Sequence, residues 1–98
     1  MTCKIPEKSE ALRGTLIAQA EELRSLFLAS AAVVGSYEEQ YEILKAVPFG
    51  NVKDARRRVG NLRHAERTRQ MKVGNKWRRL CEGYEQIFGE QMPTHLNR

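Results

Sequence analysis

From Trp77 to Phe88 the apolar residues are Trp77, Leu80, Cys81, Tyr84, Ile87 and Phe88, in steps of three and four that share one arc of an α-helix but scatter over both faces of a strand. This segment buries its side chains only as a helix. The same period runs upstream, where Leu12, Leu16, Ala20, Leu23, Leu26, Phe27 and Val34 fall on one arc together with Gln19 and Ser30. It predicts a first helix from near Pro6 or Ser9 to about Val34, begun by a proline or serine suited to a first turn and ended by Gly35. Ser36 and Glu39 have the spacing of a capping box for a short second helix, whose face is Tyr37, Tyr41, Leu44 and Val47. Pro48 stops it, and Phe49 with Gly50 turns the chain.

Asn51 is placed to cap a third helix, with Asp54 in its first turn where a negative charge meets the positive end of the helix dipole. Its apolar seam, Val52, Ala55, Val59 and Leu62, covers an arc of only about 80°. Gly60-Asn61 interrupts it, and Gly74-Asn75 marks the next break, after which the Trp77–Phe88 helix runs to Gly89. The fold class expected is therefore all-α, a compact bundle of about four helices. A helix-turn-helix within residues 51–71 is a variant of it. One small helical domain is expected over residues 1–98, with flexible ends at about 1–6 and 91–98.

Charge is distributed unevenly along this pattern. Residues 51–79 hold eleven bases, among them Arg58, against Asp54 and Glu66, whereas residues 1–50 hold five bases and seven acids. Eight of the eleven are arginines, whose planar forks match phosphate oxygens with two donors. Segregation on this scale creates a positive field that attracts a polyanion. The residues expected to bind nucleic acid are Lys53, Arg56, Arg57, Arg63, Arg67, Arg69, Lys72, Lys76, Arg78 and Arg79. A helix-turn-helix would send Arg63, Arg67 and Arg69 into a major groove, while a bundle would lay the third helix across phosphates without reading bases. The second geometry is preferred, with DNA favoured over RNA. Replacing Arg56, Arg63 and Arg67 by glutamine is then expected to abolish binding and leave stability unchanged.

Enzymatic chemistry finds little footing. Cys3, His64, Cys81 and His95 lie far apart, without the short spacing of local metal ligands. The single aspartate is better used at a helix start than in orienting a histidine. The pairs Glu21-Glu22 and Glu38-Glu39 point about 100° apart on a helix, and no phosphate-binding glycine loop occurs. The chain is thus expected to be a binding protein, an accessory or regulatory factor, with no catalytic residues, metal or cofactor.

A second class of function is weighed beside it, in which a small helical module docks its basic face on an acidic or nucleoprotein partner, as an inhibitor would. Ile17 and Leu28 lie off the main stripe and nearly in line along the first helix, which makes them candidate interface residues for such a partner or for a homodimer. No run approaches the roughly 20 apolar residues that cross a bilayer, and the basic helix has too narrow an apolar seam to insert into a membrane surface. With Cys81 on an apolar face and Cys3 in a tail, a cytoplasmic, reducing location is expected.

Overall fold

The computed structural model describes residues 4–47, 50 and 52–98, with side chains from Glu10 onward. Two long helices carry the chain: α1 spans Lys4–Ala46 and α2 spans Val52–Phe88, followed by a 3-10 turn at Thr94–Leu96. The fold is all-α, and no strand occurs among the described residues. It is not a four-helix bundle. Gly35, read from the sequence as a helix end, lies inside α1, and Gly60-Asn61 and Gly74-Asn75 both lie inside α2. The helix-turn-helix proposed for residues 51–71 is therefore replaced by one uninterrupted helix. Pro48, Phe49 and Asn51, expected as stop, turn and cap, lie outside the described residues.

The reason is a comparison of magnitudes. A glycine inside a helix costs about 1 kcal/mol relative to alanine, whereas ending the helix leaves up to four amides and four carbonyls without partners on either side of the break. The inward-facing positions also keep their rhythm through the glycines: Ala20, Leu23, Phe27, Ser30, Val34, Tyr37, Tyr41 and Leu44 on α1 alternate steps of three and four. On α2 the same alternation runs from Val52 through Arg56, Val59, Arg63, Glu66 and Gln70 to Tyr84. This is the spacing of helices packed along a seam. A Cβ built on Gly35 would meet nothing within 4 Å, so Gly35→Ala is expected to stabilise the fold by about 1 kcal/mol, seen as a higher midpoint in thermal unfolding.

Glycine does set the chain direction at two positions. Gly50 (φ 57°) and Gly89 (φ 70°) adopt the left-handed conformation that a side chain disfavours. At Gly89 the amide donates to the Glu85 carbonyl at 2.8 Å, closing the end of α2.

The helices contribute to two compact units, a terminal unit of Met1–Ser25 with Val73–Arg98 and a turn unit of Leu26–Lys72. In the terminal unit Ala20, Trp77, Cys81, Tyr84, Met92 and Leu96 are buried. The Leu96 carbonyl accepts from the Trp77 indole Nε1 at 2.8 Å and from the Cys81 thiol at 3.3 Å. The segment expected to be loose after Met92 is thus packed, with Met92 2% and Leu96 1% exposed. Arg13 on α1 donates through Nη1 to the Tyr84 hydroxyl at 3.1 Å, pairs with Glu90 and lies 4.6 Å from the Phe88 ring centroid.

The turn unit has a different interior. Among its described residues Val34 is the one buried apolar side chain, and beside it Ser30 and Glu66 are buried polar groups. The Ser30 hydroxyl lies 2.5 Å from Glu66 Oε2, donating to it, and 3.3 Å from the Glu66 backbone carbonyl. Truncating one partner leaves the other buried without its bond, so Glu66→Ala is expected to cost about 1 to 3 kcal/mol. The paired change Ser30→Ala with Glu66→Leu removes both polar groups together. It is expected to recover most of that loss in urea denaturation.

Candidate nucleic-acid interface

The eight bases of the turn unit's α2 segment, from Lys53 to Lys72, face Asp54 and Glu66 on the same segment. An exposed arginine is available to a ligand only if the fold has not already partnered it. Arg63 is half-buried, and its guanidinium lies over the Tyr41 ring of α1, 4.7 Å from the centroid. Gly60, one turn before Arg63, faces the same ring, and a Cβ there would sit in ordinary van der Waals contact with Tyr41 Cε2 at 3.7 Å. Arg67 reaches Glu38 of α1 at 3.2 Å, with both side chains about half exposed. Arg69 pairs with Glu66 at 3.3 Å, and Arg57 with Asp54 at 3.6 Å. Arg56 is half-buried on the inward-facing edge of α2.

The sequence-predicted set therefore divides. Arg63 lies over the Tyr41 ring of α1, Arg67 is tied across to Glu38 of α1, and Arg56 is half-buried. Arg57 is exposed and neutralised by the equally exposed Asp54, an arrangement worth little energy on a surface and easily exchanged for another anion, whereas Arg69, itself exposed, pairs with the buried Glu66 carboxylate and is held more firmly. Lys53, Arg58 and Lys72 are exposed, and no described carboxylate lies within ion-pairing reach of them. In the terminal unit Lys76, Arg78 and Arg79 are exposed in the same way. His64 is exposed too.

The residues missed from sequence are the intramolecular partners, Glu38 and Tyr41. The signal for Tyr41 was the three-and-four alternation that continues through Gly35, and Glu38 stands three residues before it on the same long helix. Of the two candidate interface residues, Ile17 is half-buried in the terminal unit and Leu28 is 49% exposed in the turn unit.

No group of three or more histidine, cysteine, aspartate or glutamate side chains is arranged to hold a metal among the described residues. No helix among them is long and apolar enough to cross a membrane. Fold and charge together define an all-α protein of two long helices, antiparallel in the turn unit, where Ser30 meets Glu66 and Tyr41 meets Arg63. The chain matches no protein-family model, and no curated protein or solved structure is significantly similar to it.

Proposed function

We propose that this protein binds nucleic acid through the exposed bases of α2, as a non-enzymatic accessory or regulatory factor that contacts phosphates and does not read base edges. The observation that carries the reading is that Lys53, Arg58 and Lys72 are exposed without a carboxylate partner, on a segment where eight bases meet two acids. Exposed bases along a continuous helix suit contact with the regularly spaced phosphates of a duplex, which positions a protein without carrying sequence information. DNA is favoured over RNA because RNA is recognised largely through unstacked bases held on aromatic side chains, and α2 exposes no Phe, Tyr or Trp for that purpose.

The test is fluorescence-anisotropy titration of the full chain with a random-sequence duplex and a single strand, at low and near-physiological salt. Binding to the duplex that weakens steeply with salt, with little preference among sequences, is the expected result. Absence of binding at low salt overturns the reading.

A second reading is favoured by Met71. This side chain is 67% exposed, directly before Lys72 and one turn after Arg67. A flexible apolar side chain among bases suits an acidic protein surface, whose carboxylates take the charges while its apolar atoms take the thioether. In that case the same titration shows no nucleic-acid binding, and Met71→Ala weakens capture of the acidic partner.

A further inference from the structure

The segment that follows α2 in the terminal unit is fastened in an unusual way. Among the described residues no backbone-to-backbone hydrogen bond joins residues 90–98 to either helix: the Leu96 amide donates to the Pro93 carbonyl at 2.8 Å and the Asn97 amide to the Thr94 carbonyl at 3.3 Å, both inside the segment. The contacts that cross to the helices run through helix side chains and gather at two places. Next to Gly89, Glu90 pairs with Arg13 of α1 and accepts from the Tyr84 hydroxyl of α2 at 3.4 Å. At the far end the Leu96 carbonyl accepts from both the Trp77 indole and the Cys81 thiol, and the Arg98 guanidinium lies over the Trp77 ring, 5.5 Å from its centroid. Met92 and Leu96 are the two apolar anchors of the segment, and both are buried.

We propose that residues 90–98 form a strap that swings about Gly89 as one unit while α1 and α2 stay folded, closed in the resting molecule and uncovering Trp77 and Cys81 when it opens. The two kinds of attachment have different costs. Opening α2 at Cys81 breaks a run of consecutive backbone hydrogen bonds, whereas lifting the strap breaks none and gives up only the side-chain contacts at its two ends and the burial of its two anchors. Gly89, already in the left-handed conformation (φ 70°), has the backbone freedom that a hinge between helix and strap requires. The anchors make closure the dominant state, because Met92 and Leu96 return to water when the strap lifts. The Cys81 thiol is the built-in reporter: it is 5% exposed and donates to the one strap carbonyl that the indole also holds. The strap acts within the terminal unit, so the proposal holds whether or not α2 binds nucleic acid.

The test uses the full chain carrying Cys3→Ser, which leaves Cys81 as its one thiol, and dithionitrobenzoate, an aromatic disulfide. Each thiolate that attacks it forms a mixed disulfide and releases one coloured thiolate, so the colour follows the exposure of Cys81. Below the unfolding transition the rate is expected to be at least about tenfold slower than in the urea-unfolded chain, and to rise with urea at less than half the slope of global unfolding, because lifting a short strap exposes far less surface than unfolding two helices. Leu96→Ala is expected to speed the reaction at least about tenfold while the helical circular dichroism is retained and the urea slope stays shallow. A rate that climbs with urea as steeply as global unfolding overturns the proposal, since the thiol is then reached only when the helices come apart. A rate equal to that of the unfolded chain, or one that Leu96→Ala leaves unchanged, overturns it as well. Should Leu96→Ala lose helicity, the urea slope of the Cys3→Ser chain still decides the matter.

Discussion

Trp77→Ala is expected to destabilise the protein by about 3 to 5 kcal/mol, a large share of the roughly 5 to 15 kcal/mol that holds a small domain folded. The residue is 7% exposed and belongs to the buried set of the terminal unit with Cys81, Tyr84, Met92 and Leu96. Truncation opens a cavity that the helices cannot collapse to fill, and it removes the donor from one of the two bonds that hold the Leu96 carbonyl. Trp77→Phe separates these effects. It keeps most of the packing and loses the 2.8 Å bond, so its cost is expected near 1 kcal/mol from the bond plus a smaller packing loss. Urea denaturation followed by circular dichroism measures both. Limited proteolysis gives a local check, since residues 92–98 become cleavable in Trp77→Ala before α2 itself is cut. A loss below about 1 kcal/mol for the alanine variant would show that the C-terminal turn is not docked on the indole.

The second large effect concerns Lys53, Arg58 and Lys72. Replacing all three by glutamine is expected to reduce duplex affinity at low salt by on the order of a hundredfold and to flatten the salt dependence by about three counterions. Helicity is expected to persist, because the three side chains are exposed and glutamine is a good helix former. The contrasting variant is Arg63→Gln with Arg67→Gln, which removes the contact over Tyr41 and the ion pair with Glu38. That pair is expected to lower the melting temperature and to change the salt slope little. If the first variant binds as tightly as the parent and the second does not, the phosphate-contacting residues are the inward ones and the proposed face is wrong.

Much of the helical content was legible from the spacing of apolar residues, most clearly from Trp77 to Phe88, where packing and local period agree. Continuity was not legible by the same means. Gly35, Gly60-Asn61 and Gly74-Asn75 carry local signals for breaks, and those signals are outweighed by a pairing seam that appears only when both helices are aligned. The tail was misread for a related reason: Met92 and Leu96 are sparse apolar residues with no local period, and what fixes Leu96 is an indole and a thiol on α2. The basic segment was legible as a composition. Its division into partnered and unpartnered arginines was not, because Arg63 and Arg67 find Tyr41 and Glu38 on the opposite helix. The expectation that Arg56, Arg63 and Arg67 could be neutralised without loss of stability accordingly gives way to the contrast above.

The buried Ser30–Glu66 pair bears on which alignment of the two helices is chosen. A seam with three-and-four steps repeats itself every seven residues, so apolar packing alone would tolerate sliding one helix along the other by that amount. Sliding places Glu66 opposite Leu23 or Tyr37 in place of Ser30, and Ser30 opposite Val59 or Val73, so a carboxylate and a hydroxyl lose each other inside an apolar seam. The native frame is the one in which both are satisfied. Their contribution is therefore felt less in the depth of the native state than in the height of its shifted competitors, the role that a single buried polar residue performs in choosing among coiled-coil alignments.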